Sequence, residues 1–590
     1  MTSYNHIADN CFEEEELDVL EREEETLLFF SGLLRRDESE RVGFMDHLEK
    51  SLKLWISRPD DLKAQKLLSV HLPTVLRLSL NAPFADVRSR MNKILRELEN
   101  SGHEVPHARF VGPSSFIPPE ESVSYYGRGG DSSGLMAAQS MYEESFMYNC
   151  RLPHLVQTCG YHPSYLTCLV RTHDFLMNGD GPLPFYVRNY LAILAASRHR
   201  CSYLVTIQET DFVKNGGDIK WLQGLHHVPQ KILNLLVVNK TVAHQPWLLK
   251  PDHMKALLRG ADSWSVAELI QALVIFAHFH VLAGFALGCG VNPELDTPMG
   301  YVMAPTERDT TPFSFEGNPA LGLGGTPSDS VDSEPVSPMD KPMFRHDSPP
   351  PPGVATSRIQ HYFESAEDGQ KSLVETLKAV LSAQTDENNE EETAEDQDQQ
   401  FADTLSSHGM SNKVKVPVPT PINLVKYIDD AAFGHEDFTG SAAITLRARD
   451  YSWDDHGFPL LNSLYPDAGQ MLDEKFQVAF ALTYGTVGKE RNMDTAPFRE
   501  AVWYYIHSIK GIRHDDYQYK KVNDILKIQF KTYIRMVACF PEKVTYYDYI
   551  NSMTGLEHSE KVHVNLLVLE ARLQAELIYA LRAVMQYMKQ

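Results

Sequence analysis

The chain has 590 residues, too many for one hydrophobic core, and a formal net charge of −24. So large an acidic excess argues against nucleic acid or an anionic membrane as the main binding partner. The seven cysteines form no CxxC pair and no zinc-type spacing, so we expect a reduced intracellular protein without a metal site.

Residues 1–104 are predicted to form a helical N-terminal extension. From about residue 14, apolar and charged residues recur at helical spacing, as in FMDHLEKSLKLWISRPDD and FADVRSRMNKILRELEN. The acidic start of the chain has no basic segment followed by an apolar run, so we expect no signal peptide.

Residues 105–295 are predicted to form a first helical domain. Its most apolar run, Leu269 to Val291, is long enough to span a bilayer. The run contains His278 and His280 and lacks basic flanks, so we interpret it as a buried core helix and expect no transmembrane segment.

The composition changes after Pro293. Residues 296–420 are rich in proline, serine, glycine and acidic residues, which predicts a disordered linker. Its Ser-Pro and Thr-Pro pairs are compatible with phosphorylation sites and also with a plain linker. Helical periodicity returns in residues 421–590, whose last thirty residues carry a broad apolar stripe typical of a core helix. The predicted class is therefore all-α.

Several long segments resemble the sestrin family, over about 105–295 and 420–590. They are GPLPFYVRNYLAILAASRHRCSYLV (181–205), NGGDIKWLQGL (215–225), AHQPWLLKPDHMKALL (243–258), WSVAELIQALV (264–274), FGHEDF (433–438), GIRHDDYQY (511–519) and HSEKVHVNLLVLEARLQAELIYALRA (558–583). The resemblance implies two helical halves, each like alkyl hydroperoxidase D, packed together and joined by the linker.

The resemblance also implies a function in the stress response. Sestrins are leucine sensors that bind GATOR-type complexes and restrain TOR signalling in a leucine-dependent way. We therefore expect free leucine or a related amino acid and a GATOR-type complex as partners, and no cofactor. The expected location is the cytoplasm, with the nucleus and, through partners, the lysosomal surface as further locations.

An alternative function is that of a thiol-dependent hydroperoxide reductase acting through Cys201. Hydroperoxidases of the implied fold use E-x11-C-x2-C-x3-H, and on Cys201 this pattern leaves Asn189, Leu204 and Gln208 at the other three positions. Sestrins generally keep the cysteine, a tyrosine that is Tyr203 here, and the final histidine. Gln208 neither titrates nor activates a thiol, which argues against an enzyme and leaves at most a residual thiol peroxidase activity. The other interpretation of Cys201 is a small buried residue.

The resemblance places an amino-acid pocket in the second half. Arg499 would bind the ligand carboxylate and Glu560 the ammonium group. The polar end would be covered by a lid, and Met553 would line the side-chain pocket where the family often has tryptophan; the lid residues are Thr483, Tyr484, Thr486 and Thr495. Because methionine is flexible, we expect weaker or less selective leucine binding, with isoleucine, methionine and valine as competitors.

Each assignment has a simpler alternative. Arg499 at a helix start is also typical of a surface charge, and Glu560 of a helix cap. Asp515 and Asp516 are expected by resemblance to bind the partner complex, although a solvated turn or a metal motif would show the same pair. Ser265 begins the capping box Ser-Val-Ala-Glu, and the resemblance adds a regulatory phosphorylation site there.

Overall fold

A computed structural model of the chain describes residues 29–119, 121, 132–260, 262–303, 423–438 and 445–590. Within these ranges helices dominate and strands are short, so the predicted all-α class is confirmed. The predicted linker lies outside the described residues from position 304 to 422.

The N-terminal extension forms a helical layer with its own core. Its helices are α1 (Glu38–Ile56), α2 (Leu62–Asn81) and α3 (Ala85–Asn100). Aspartate side chains cap two of them: Asp37 accepts a hydrogen bond from the backbone of Glu40, and Asp61 from that of Lys63 and Ala64. A separate hydrophobic cluster lies between these helices and also includes buried side chains of the first half such as Phe146, so the extension has its own core and packs against the first half.

The first half is built around one long apolar helix. Its helices are α4 (Ser132–Asn149), α5 (His154–Cys159), α6 (Pro163–Asn178), α7 (Phe185–Arg198), α8 (Ser202–Lys214), α9 (Gln230–Leu233), α10 (Leu236–His244), α11 (Pro251–Leu258) and α12 (Val266–Gly288). Among the described helices, α12 is long and apolar enough to cross a membrane, but its most apolar 18 residues are completely buried inside the protein. The prediction of a buried core helix is confirmed.

The second half ends in the longest helix of the fold. Its helices are α13 (Phe458–Leu464), α14 (Pro466–Ala481), α15 (Ala496–Ile509), α16 (Lys520–Ile525), α17 (Ile528–Cys539), α18 (Tyr546–Ser552) and α19 (His558–Met588). Helix α19 packs against α12, α15 and α17. One continuous hydrophobic core spans both halves, so their predicted packing against each other is confirmed.

Pairs of two- and three-residue strands connect segments between the helices. They are β1 (Pro106–Ala108) with β2 (Tyr301–Met303), antiparallel; β3 (Leu446–Arg447) with β6 (Ile512–Arg513), parallel; and β4 (Thr486–Val487) with β5 (Glu490–Arg491), antiparallel. The β4–β5 pair is a hairpin between α14 and α15, in the region predicted to form the lid.

The first half extends past the predicted start of the linker at residue 296. Asp296 forms ion pairs with Arg77 of α2, at 2.8 Å, and with Arg151, at 2.7 Å, and β2 then pairs with β1 as far as Met303. Burial raises the pKa of Asp296, but the charges of Arg151 and Arg77 outweigh burial and bring the pKa to about 2. This carboxylate therefore joins the N-terminal extension to the first half.

Asp296→Asn should destabilise the protein by about 3–5 kcal/mol, because two buried guanidinium groups lose their counter-charge. In the parent chain the two ion pairs of Asp296 should stabilise the fold at pH values above its unfolded-state pKa near 4. This contribution to stability should disappear as the pH falls from about 4 to 2. Urea unfolding at neutral pH measures the effect. The matched control is Asp46→Asn, whose half-exposed ion pair with Arg90 should be worth at most about 1 kcal/mol; equal losses in both variants would contradict this account.

Candidate functional site

The β4–β5 hairpin is the centre of a segment, residues 483–495, that we call the lid. Its chain reverses at Gly488, which has a φ of 58° that glycine adopts without strain. The base of the lid is closed by two hydrogen bonds: the Gly485 N–H donates to Thr483 Oγ1 at 3.1 Å, and the Met493 N–H donates to the Gly485 carbonyl at 2.8 Å. The lid is thus a folded hairpin with its own hydrogen bonds.

The Glu560 carboxylate holds the tip of the lid. The Gly488 N–H donates to both carboxylate oxygens, at 3.0 and 2.9 Å, and Thr486 Oγ1 donates at 3.2 Å. The same carboxylate accepts from the Glu557 N–H at 2.9 Å and completes the capping box of α19. The helix cap, which the sequence offered as the alternative for Glu560, is therefore present, and the same carboxylate holds the lid; binding of a ligand ammonium group stays a prediction.

Arg499 lies in the first turns of α15, beneath the base of the lid. The residue is only 7% exposed, which excludes the alternative of a solvated surface charge. Nε donates to the Phe480 carbonyl at 2.7 Å, and Nη1 donates to Thr495 Oγ1. The hydroxyl groups of Thr495 and Thr483 are 2.8 Å apart. Burial lowers the pKa of Arg499, yet a guanidinium stays protonated, so the site contains a fixed positive charge.

Tyr484 ties the lid to the first half of the protein. Burial lowers the pKa of His162 to about 4, so its ring is neutral. His162 Nε2 lies 2.8 Å from the Ser559 carbonyl, which only accepts, so this nitrogen carries the hydrogen. His162 Nδ1 must then accept from the Tyr484 hydroxyl, at 3.0 Å. Sequence reasoning missed His162, since no pattern relates two residues more than three hundred positions apart.

Met553 is completely buried where α18 ends, a few residues before α19 begins. Its position therefore fits an apolar wall near the helix start that carries Glu560. Apart from Tyr484, which contacts His162, the structure joins the other predicted ligand-site residues in two hydrogen-bonded groups that share the lid, Thr483–Thr495–Arg499 and Thr486–Glu560.

Cys201 lies in a different environment from a reactive thiol. It is completely buried at the N-cap of α8, and burial raises the pKa of its thiol to about 12. The neighbouring His199 accepts a hydrogen bond from Arg572 at 2.7 Å. At the position of the family histidine, Gln208 Oε1 accepts from Asn189 at 3.0 Å. His199 and Gln208 thus form hydrogen bonds with Arg572 and Asn189 in the core.

Tyr203 is engaged in the packing of the first half. Its hydroxyl donates to Glu294 Oε1 at 2.8 Å and accepts from the Leu155 N–H at 3.1 Å. Glu294 also accepts from the His154 N–H. Tyr203 therefore connects α8 to the start of α5 and to the segment after α12.

Asp515 and Asp516 are exposed in the turn that follows β6. Asp515 lies near two arginines of the β3 segment, 3.7 Å from Arg447 and 3.4 Å from Arg449. Within the described ranges, no group of three or more His, Cys, Asp or Glu side chains could hold a metal ion. The turn is thus a surface of mixed charge, with Asp515 partly neutralised.

Ser265 is the exposed N-cap of α12. Its hydroxyl accepts from the Glu268 N–H at 3.2 Å, and the Glu268 carboxylate accepts from the Ser265 N–H at 2.7 Å. Lys231 lies 2.9 Å from the same carboxylate. The capping box expected from the sequence is present, and modification of the hydroxyl stays a prediction.

Comparison with known proteins identifies relatives along most of the chain. A family profile described as "PA26 p53-induced protein (sestrin)" matches residues 113–588. Sestrin-2 of Mus musculus is 42% identical over 81% of this chain and 91% of its own length. Sestrin-1 of Xenopus laevis is 36% identical over 87% of this chain and 100% of its own. The sestrin homolog of Drosophila melanogaster is 40% identical over 74% and 93%, respectively.

Cys201 should resist alkylation in the folded protein. Raising the pKa of a thiol from 9 to about 12 lowers its thiolate fraction at pH 8 by roughly three orders of magnitude, and burial blocks the reagent further. Mass spectrometry of the Cys201 peptide after iodoacetamide treatment, with and without urea, measures the difference. Rapid alkylation of Cys201 in the native protein would show that the thiol is activated after all.

Proposed function

The chain belongs to the sestrin family, and we propose that it is a cytoplasmic amino-acid sensor that binds leucine beneath the lid and reports it to a GATOR-type complex. In this way it would restrain TOR signalling when leucine is scarce. The ligand carboxylate would bind Arg499 and the α-ammonium Glu560. The ligand side chain would extend toward Met553.

One observation carries this proposal: a buried guanidinium and a carboxylate are attached to the same hairpin. A free amino acid needs a cation for its carboxylate, an anion for its ammonium group and a cover that excludes water. Arg499 reaches the base of the lid through Thr495, and Glu560 reaches its tip through Gly488 and Thr486. The two opposite charges therefore contact opposite ends of the lid.

Helix α15 supports a route from ligand to partner. It begins at the Arg499 site and runs for 14 residues, about 20 Å, to the segment that carries Asp515 and Asp516. This segment is fastened to the helix, since His514 Nε2 lies 2.9 Å from His507 Nδ1 and the Tyr504 and Tyr517 rings are 4.4 Å apart. A ligand that prefers one position of α15 would therefore bias the partner surface.

A hydroperoxide reductase is less well supported. Cys201 is buried with a raised pKa, and Gln208 is bonded to Asn189. Neither arrangement supplies a thiolate or a base.

Leucine at 5 mM should stabilise the full-length protein by roughly 2 kcal/mol if its dissociation constant is on the order of 100 µM. Thermal unfolding measures this as a higher midpoint. Arg499→Ala and Glu560→Ala should abolish the leucine effect, because each removes one charge that would pair with the ligand.

A matched control separates ligand binding from helix capping. Glu557→Ala removes the other carboxylate of the same capping box and should lower the unfolding midpoint while keeping the leucine effect. If leucine leaves the midpoint of the parent chain unchanged, or stabilises Arg499→Ala equally, the proposed site is wrong.

Met553→Trp should sharpen the preference for leucine over isoleucine, methionine and valine, because a rigid ring defines the wall of the pocket better than a flexible thioether. Competition between each amino acid and labelled leucine measures the preference in both proteins. An unchanged ranking would mean that Met553 does not line the pocket.

Replacing both Asp515 and Asp516 with Asn should abolish capture of a GATOR-type complex and leave the leucine-dependent rise in the unfolding midpoint intact. The matched control is Asp524→Asn, another exposed acid on the neighbouring α16, which should bind the complex normally. Undiminished capture by the double variant would place the partner surface elsewhere.

A further inference from the structure

Three of the segments that carry the family resemblance meet at one place in the structure. They are 243–258, 433–438 and 511–519. Trp247, Phe438 and Gly511 represent one segment each. The rings of Trp247 and Phe438 pack edge to face, with centroids 5.4 Å apart, and the Phe438 ring covers Gly511. The proposed function uses only the third segment, so the other two still need a role.

Phe438 ends a segment that lies across the first half, residues 424–438, which we call the strap. Arg198, the last residue of α7, holds the strap by its backbone. Its Nη1 donates to the Asp430 carbonyl at 2.9 Å, and its Nη2 donates to the Phe433 carbonyl at 2.6 Å. Because Arg198 is only 8% exposed, these bonds are shielded from water. They fix the path of the strap over the first half.

Side chains of the strap add to these backbone bonds. Tyr427 is completely buried, and its hydroxyl donates to the Glu209 carboxylate of α8. Asp429 forms an ion pair with Lys240 of α10, at 2.7 Å. The strap therefore belongs to the first half along most of its length.

The end of the strap is fixed against the second half. Asp437 forms an ion pair with Arg535 of α17. Gly511 has a φ of 79°, and a Cβ built on it would lie only 2.5 Å from Phe438 Cδ2. The ring thus fills the space beside the Gly511 backbone, and its loss would leave a cavity there.

Gly511 is also the point from which the proposed partner surface starts. Its carbonyl accepts from the Leu446 N–H of β3 at 3.0 Å, at the beginning of the β3–β6 pairing. Asp515 follows four positions later in the chain. Phe438 and β3 therefore fix the start of the turn that carries the two exposed acids.

We propose that Phe438 is a positioning residue of the partner surface: it supports Gly511 and so keeps Asp515 and Asp516 where the partner complex binds them. The inference rests on the proposed function, which assigns the partner surface to this turn. Because the strap is anchored on the first half, the partner complex would recognise an arrangement of both halves, although the two acids belong to the second.

Phe438→Ala should loosen the turn without disturbing the lid. In the full-length protein, amide hydrogen exchange of residues 511–519 should become about tenfold faster, including the His514 N–H that donates to the Tyr519 hydroxyl at 3.0 Å. Titration with a purified GATOR-type complex should show about tenfold weaker binding. Leucine should raise the unfolding midpoint as much as in the parent chain. Phe438→Leu, which keeps an apolar side chain over Gly511, should restore most of the protection and of the binding.

The matched control is Phe433→Ala, which removes a ring of the same size from the same strap. Phe433 is half-buried and lies against His244, with ring centroids 6.4 Å apart. This variant should unfold earlier but keep the parent's exchange rates at 511–519 and the parent's binding. Equal effects in both variants, or unchanged exchange in Phe438→Ala, would overturn the positioning role.

Binding to the complex separates this inference from the proposed function. If Phe438→Ala binds normally while the double aspartate variant does not, the positioning role is wrong and the proposed partner surface stands. If both bind normally, the proposed partner surface is wrong, and the positioning role with it.

Discussion

Three charged side chains of α19 are completely buried, and the joining of the two halves depends on how they are paired. Glu570 accepts from Tyr165 of α6, Arg572 donates to His199 at the end of α7, and Glu576 contacts His280 of α12. An unpaired charge in this core would be strongly destabilising, whereas apolar contacts alone tolerate small shifts. These pairs therefore specify one register of α19 against the first half.

That register also places the lid. His162 lies just before α6, the helix that carries Tyr165, and reaches both the Ser559 carbonyl and the Tyr484 hydroxyl. The start of α19 carries Glu560, which holds the lid tip. A proposed sensor in the second half is thus closed in part by a residue of the first half, and the two halves act as one structure even though the resemblance assigns the pocket to only one of them.

Sequence periodicity was sufficient for the helices, because α12 and α19 are long and mostly apolar on the faces that they bury. The change in composition placed the start of the linker at residue 296. Composition cannot show that Asp296 pairs with Arg77, which lies more than two hundred positions away. The candidate site residues were predicted from the family resemblance, and the structure shows which of them contact one another at the lid. His162 had no local pattern, because a buried polar residue looks like an exposed one in the sequence until its neighbours from distant segments are known.

The Glu560 carboxylate constrains how a ligand could work. It already accepts from the Gly488 and Glu557 N–H groups and from Thr486. Two carboxylate oxygens offer about four acceptor positions, so an arriving ammonium group must share or displace a lid contact. Since the Glu557 bond belongs to the helix cap, the exchangeable contacts are those of Thr486 and Gly488. Under the proposed function, occupation of the site and the position of the lid would be linked at a single carboxylate. The hydrogen bonds that Thr495 makes with Arg499 and Thr483 would carry the change to the start of α15.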